Sequence, residues 1–279
     1  MPSVSSVPPS TPLSRASVAD ALRTAGCVFA EDEAELILST ARTPAEAAAM
    51  VERRVEGLPL ELVVGWAEFR GLRITVAPGV FVPRRRTEFL VEQALAQAPG
   101  STVVVDLCCG SGAVGAALAA GLGRVELHAA DIDPVAVGCA RGNVAAAGGH
   151  VHQGDLFEAL PAELLGRVDI LAANVPYVPS DEIGLLPLEA RDHEPRVALD
   201  GGTDGLDVLR RVATEAPRWL APGGCVLVET SRHQAPTAVA AFERNGLTTR
   251  LAVSEELYAH VVIGVGQRVP LSPGPSPVR

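Results

Sequence analysis

From about Thr87 onward the chain alternates two patterns that few folds accommodate together. Strand-like runs (TVVVDL, VELHAADI, HVHQGD, DILAAN and CVLVET) are interleaved with helical stretches: GAVGAALAAGL, PVAVGCARGNVAAAG, DVLRRVATEAPRWL and PTAVAAFERNG. Repeated β-α-β units imply a parallel sheet covered by helices on both faces, with its ligand crevice at the carboxyl ends of the strands. The last two runs, TTRLAVS and HVVIGVG, are expected to pair as an antiparallel hairpin. The predicted class is α/β: a doubly wound, mostly parallel, seven-stranded Rossmann-like sheet with a small N-terminal helical domain.

That helical domain is expected over residues 15–60, where SVADALRTAG, EDEAELILSTA and TPAEAAAMVERRVEG carry helical spacing. Thr43-Pro44 with Glu46 behind it marks a helix start. LELVVGWAEFRGLRITVAPGVFVP alternates and is rich in β-formers, so a β-hairpin linker is predicted over 61–86. The main domain follows over 87–270. Residues 1–14 and 271–279 are rich in Pro, with Ser, and are expected to be disordered.

The net charge of −10 argues against broad nucleic-acid binding. Five cysteines (Cys27, Cys108, Cys109, Cys139, Cys225) show no C-x-x-C spacing, so neither a disulfide framework nor a zinc site is expected. His150 and His152 alternate along one strand and read as strand residues rather than metal ligands. MPSVSSVPPSTPLS has no apolar core of a signal peptide, and no run reaches the ~20 apolar residues of a membrane span. A soluble, cytoplasmic monomer is expected.

The segment VVVDLCCGSGAVG places Gly110, Gly112 and Gly115 in G-x-G-x-x-G at a strand-to-helix turn, where backbone can approach a ligand. Asp131, about 20 residues on, ends the second strand, where a carboxylate can accept from ribose hydroxyls. A dinucleotide fold would show the same letters. Asp106, however, ends the first strand, where a pyrophosphate would meet an unwelcome negative charge. A ligand carrying a sulfonium and an ammonium would welcome it, which points to S-adenosyl-L-methionine. Asp155, at the tip of the third strand, is a candidate adenine partner, with Leu156 or Phe157 beside the ring.

At the end of the fourth strand stands Asn174-Val175-Pro176-Tyr177. Pro176 removes a donor and holds Val175 extended. The amide oxygen of Asn174 and the carbonyl of Val175 could then offer two acceptors to an NH2 group, with Tyr177 as a flat wall. Asn174 thus stands between cofactor and substrate.

From roughly Leu60 to the C-terminus the chain resembles the protein-(glutamine-N5) methyltransferases, which modify peptide-chain release factors and, in a sister branch, a ribosomal protein. FVPRRRTEFLVEQAL is similar to that family's Pro-Arg-x-x-Thr-Glu loop at Pro83, Arg84, Thr87 and Glu88, and DLCCGSG to its Asp-x-Gly-x-Gly-x-Gly turn. NVPY is similar to its Asn-Pro-Pro-Tyr. HEPRVALDGGTDGLDVLRR is similar to its Glu-Pro-x-x-Ala-Leu…Gly-x-Asp-Gly segment at Glu194, Pro195, Ala198, Leu199, Gly202, Asp204 and Gly205. Two positions depart: Cys108 stands where the family has the first glycine of the turn, narrowing the approach to the methionine moiety, and Val175 stands where it has proline.

The resemblance implies a methyltransferase domain over 87–270 and a cofactor site at Asp106, Cys108, Gly110, Gly112, Asp131, Asp155, Leu156 and Asn174. It also implies catalysis at Asn174, Val175, Pro176 and Tyr177, and substrate contacts at Arg84, Glu88, Asn174, Tyr177 and Glu194. No metal is required. The partner implied is a protein, either the Gly-Gly-Gln loop of a release factor or a ribosomal protein, docked by the N-terminal domain. Arg84, Arg85 and Arg86 could grip a phosphate-rich partner or form a solvated face. The alternative activity is amino-methylation of an RNA or DNA base, which presents a similar NH2.

Overall fold

The computed structural model describes residues 13–98 and 102–267. Of the predicted disordered ends, 1–12 and 271–279 lie outside the described residues. Ser14 does not belong with them, because it caps the first helix and closes a capping box with Ser17. The chain divides at Gly65 into two compact units.

The first unit is built from helices α1 (Arg15–Thr24), α2 (Ala30–Thr40), α3 (Pro44–Val55) and α4 (Leu60–Val64). Val18, Leu22, Ala34, Ile37, Ala47 and Met50 are among its buried apolar residues. Their spacing puts one apolar stripe on each of the first three helices. Thr43 caps α3 by accepting from Glu46 N at 3.1 Å, with Pro44 in the first turn. Glu33 and Arg54 pair across the bundle at 2.6 Å, both largely buried. The expected β-hairpin does not begin at Leu60. Pro59 starts a short helix there, and Gly65, at φ +82°, ends it with its N–H on Glu61 O at 2.8 Å. These flanking residues override the β preference of Leu-Val-Val.

The second unit opens with the hairpin β1 (Trp66–Phe69) and β2 (Leu72–Thr75), whose two-residue turn puts Arg70 and Gly71 at positive φ. There follow α5 (Glu88–Leu95), β3 (Thr102–Leu107), α6 (Ala113–Leu122), β4 (Val125–Asp131), α7 (Pro134–Val144), β5 (His150–Gln153) and β6 (Val168–Ala173). Next come α8 (Leu188–His193), α9 (Asp207–Trp219), β7 (Leu220–Thr230), α10 (Ala235–Arg244), β8 (Thr248–Ser254) and β9 (Ala259–Val265).

Seven of the strands form one sheet in the order β5-β4-β3-β6-β7-β9-β8. It is parallel except for β9, which runs antiparallel to both β7 and β8. Alternate residues of the strands feed two cores. Val105, Leu107, Ala173 and Val228 face one, and Val104, Ala172 and Leu227 the other. The doubly wound reading therefore holds, including its antiparallel close. Chain order reverses between β3 and β6, and that switch point opens a crevice at the carboxyl ends of the strands.

Candidate active site

The turn after β3 lines one side of this crevice. Cys108, Gly110 and Gly112 all take left-handed backbone, at φ +53°, +53° and +78°. Cysteine tolerates this region poorly, so the departure at Cys108 is accommodated by strained backbone. Burial pushes the Cys108 thiol well up, with the charges of Asp131 and Asp106 adding to the effect. The glycines divide the work. A Cβ at Gly112 would lie 3.1 Å from Ala140 Cβ and 3.2 Å from Val144 Cγ1 of α7, so this glycine serves helix packing. At Gly110 the nearest atom would be Phe81 Cβ at 4.0 Å, leaving room for a ligand's approach.

The turn is fixed by carboxylates at the strand ends. Gly110 N donates to Asp131 Oδ2 at 2.8 Å, and Asp133 N to Asp131 Oδ1 at 2.9 Å. Gly115 N donates to Asp106 Oδ2 at 2.8 Å. Asp106 is 1% exposed, and its carboxyl is pushed up to about 7. Burial is the main cause, the Gly115 N–H opposes it, and the charge of Asp131 adds to it. Asp155 lies at the next strand tip but is already engaged, pairing with Arg211 of α9 at 2.8 Å. Leu156 beside it is buried at φ +49°.

Across the switch point, Asn174 to Tyr177 leave the end of β6. The Val175 side chain is buried in the core with Ala173 and Val228 and takes no part in the crevice. Asn174 Nδ2 donates to Thr87 Oγ1 at 3.5 Å. Its Oδ1 is buried and accepts from no described residue.

The segment after Tyr177 is splinted by the glycine-rich stretch that follows α8. Val178 N donates to Leu199 O at 3.0 Å, Gly201 N to Val178 O at 2.9 Å, and Ser180 N to Gly202 O at 3.0 Å. A Cβ at Gly201 would fall 2.7 Å from Pro176 O, and one at Gly205 2.2 Å from Tyr177 O. Only glycine allows this approach. Gln234 Nε2 completes the splint by donating to Tyr177 O and Asp204 O, each at 2.9 Å.

The loop 82–88 is tied down along its length. Arg84 Nη2 donates to both oxygens of Glu194 at 2.7 Å, and Val82 N reaches the same carboxylate at 3.2 Å. Arg86 Nε donates to Glu229 Oε1 of β7 at 3.0 Å, and its Nη2 donates to the Tyr177 hydroxyl. Thr87 meets Asn174, and Glu88 Oε1 accepts from Arg70 N at 3.1 Å. Arg84, Glu88 and Glu194 were expected to contact substrate. In the structure their charged groups also bond within the protein, and these bonds shape the loop.

Sequence reasoning missed Glu229. It is 2% exposed, pairs with Arg86, and accepts from the Tyr177 hydroxyl at 3.3 Å. The signal was present: a carboxylate closing a buried apolar strand at the sheet's carboxyl edge, as at Asp106 and Asp131. The roles of Thr87 and Gln234 had no such signal, since each depends on a partner distant in sequence.

A seven-stranded sheet of this order, with a glycine turn after its first parallel strand and Asn-x-Pro-Tyr after its fourth, defines a methyltransferase. The Methyltransferase small domain family matches residues 71–183. In fold, the chain is similar to a methyltransferase from Pyrococcus furiosus, with a TM-score of 0.54 and 17% identity over 71% of this chain and 91% of that one. In sequence, it is 40% identical over 199 residues to the release factor glutamine methyltransferase of Geobacter sulfurreducens, covering 71% of this chain and 69% of that protein. It is 38% identical over 205 residues to a 4-amino-L-phenylalanine/4-methylamino-L-phenylalanine methyltransferase of Streptomyces pristinaespiralis, covering 70% of this chain and 69% of that one. The chain belongs to the release factor glutamine methyltransferase family, as its motifs implied.

Proposed function

We propose that this protein transfers the methyl group of S-adenosyl-L-methionine to the side-chain amide nitrogen of a glutamine, in the Gly-Gly-Gln loop of a peptide-chain release factor. The observation that carries the reading is the buried, unpartnered Oδ1 of Asn174. A buried acceptor without a donor is costly, and an incoming NH2 group removes that cost. The Val175 carbonyl, held extended by Pro176, is the second acceptor.

The cofactor supplies an electrophilic methyl group. Asp106, Gly110 and Asp131 fit its methionine and ribose portions, with Asp155 and Leu156 at the adenine end. Asp131 disfavours the ionisation of the buried Asp106, which makes a place that cationic groups relieve. An amide nitrogen is a weak nucleophile because its lone pair is delocalised. Two acceptors fix that nitrogen and favour its pyramidalisation, so the chain acts by orientation and electrostatics. Tyr177 packs on the planar amide.

The N-terminal helices dock the rest of the release factor, and the reaction belongs to the cytoplasm. No helix of the described residues is long and apolar enough to cross a membrane. A second reading, methylation of an aromatic amine, is favoured by the similarity to the Streptomyces pristinaespiralis enzyme. Labelled cofactor should be offered with a release factor, its Gln→Ala variant, 4-amino-L-phenylalanine and ribosomal or transfer RNA. Label entering the intact factor alone supports the proposal. Label in the amino acid, in RNA, or equally in both factors overturns it.

A further inference from the structure

Glu229 is the strongest feature of the crevice that methyl transfer by Asn174 and Val175 leaves without a role. It is the penultimate residue of β7, one step beyond the register pair Ala173↔Val228, and Asn174 stands the same one step beyond it, just past the end of β6. Ala172 and Leu227, two residues back on each strand, face the same core, so Asn174 and Glu229 project to one side of the sheet. The loop confirms the adjacency, since Arg86 bonds Glu229 while the next residue, Thr87, bonds Asn174. Tyr177 bridges from the other direction, with its hydroxyl on Glu229 Oε1.

A carboxylate this deep is tolerated as an ion only with a counter-charge and hydrogen bonds. Arg86 and Tyr177 supply both, and both spend them on Oε1. Oε2 is buried and accepts from no described residue. Two buried acceptors without donors among the described residues, Asn174 Oδ1 and Glu229 Oε2, therefore belong to residues one step beyond the same register pair of neighbouring strands.

Resting on the methyl-transfer reading above, we infer that Glu229 is a further catalytic residue, whose free oxygen faces the acceptor nitrogen and takes its proton. The balance is simple. The nitrogen lone pair forms the new N–C bond, and the electrons of the C–S bond pass to sulfur, which leaves as a neutral thioether. The nitrogen, which becomes positive as it bonds, releases one N–H proton to Oε2. Glu229 then returns that proton to solvent. Asn174 and Val175 orient the nitrogen, and Glu229 stabilises the charge that develops on it. Arg86 and Tyr177 hold Oε1, so that Oε2 is the oxygen presented.

The test compares the wild-type enzyme with Glu229→Gln and Glu229→Asp, on whichever NH2-bearing acceptor the wild-type enzyme labels. That choice separates this inference from the identity of the substrate. Glutamine keeps the shape and an acceptor for Arg86 but cannot take a proton. The expected result is a kcat about 100-fold lower in Glu229→Gln, with cofactor Kd, substrate KM and Tm near wild type. Glu229→Asp, still a base, should recover part of the loss. A Glu229→Gln enzyme within threefold of wild-type kcat overturns the inference. So does a loss in which Kd, KM and Tm decline together in both variants, because that pattern belongs to a brace.

Discussion

The side-chain N–H of Asn174 points at Thr87 Oγ1, 3.5 Å away, and this contact decides which face of the amide is presented to the crevice. With Nδ2 committed to the loop, Oδ1 is left as the acceptor. Thr87→Val removes the hydroxyl at nearly constant volume and frees the amide to rotate. The expected effect is a kcat lower by about tenfold, the worth of one hydrogen bond, at unchanged cofactor Kd. Steady-state kinetics beside calorimetry would check it.

Removing the acceptor itself should cost more. Asn174→Ala is expected to keep cofactor affinity within a few-fold and to lower the methylation rate by roughly 100-fold or more. Near-normal turnover in single-turnover experiments would contradict the two-acceptor arrangement.

Asp106 links the cofactor to pH. Its carboxyl, at about 7 in the folded chain against 3.8 ordinarily, retains a proton that the unfolded chain releases. The resulting stability is complete below 3.8 and is lost as pH rises through about 7. A cationic cofactor favours the ionised form, so its binding near pH 6.5 should release part of a proton and tighten toward pH 8. Calorimetry in buffers of different ionisation enthalpy measures that proton. Asp106→Asn should abolish the release, weaken binding, and flatten the decline of Tm between pH 5 and 8.

The glycines of the turn should separate experimentally. Gly112→Ala places a Cβ against Ala140 and Val144 at positive φ, which should lower stability by roughly 1–3 kcal/mol. Any loss of cofactor binding there follows from unfolding. Gly110→Ala meets open space and should weaken binding with a smaller change in Tm. Denaturant melts beside binding isotherms would distinguish the two.

A stack of imidazoles at the β4–β5 edge predicts acid sensitivity. His128 and His152 meet at 3.0 Å between Nδ1 and Nε2, and His128 also stacks on His150 at 5.2 Å. Burial holds both His128 and His152 below the usual 6.5, with neighbouring imidazoles adding. Glu126 opposes the shift at His128, and Arg167, which pairs with Glu126, reinforces it. The unfolded chain therefore takes up protons first, and stability present above 6.5 is lost as pH falls below it. His128→Gln should flatten the decline of Tm from pH 7 to 5, as measured by differential scanning calorimetry.

The sheet was legible because buried parallel strands are written as near-continuous apolar runs, and the acids ending β3 and β4 stand out against them. Helix α4 was not, since five residues are too few to display a helical period. Its only marks were Pro59 and Gly65 at the ends. Within the site, Asn174 and Tyr177 were flagged by their places around Pro176 at the end of an apolar run. Arg84 and Glu194 were found but their pairing was not, because partners 110 positions apart look like two separate surface charges until the chain is folded. Glu229 escaped for a related reason: its place near the end of an apolar strand was a signal, but its meaning comes from Arg86 and Tyr177.

The burial of Val175 changes how this position should be compared between relatives. Its side chain occupies core volume beside Ala173 and Val228, while the crevice receives only what the main chain offers. Under the proposed function, position 175 answers to two demands: the core takes its side chain, and the reaction takes its main-chain carbonyl. Proline and valine satisfy both in different ways. A search that insists on Asn-Pro-Pro-Tyr would pass over proteins that kept the chemistry while their cores drifted.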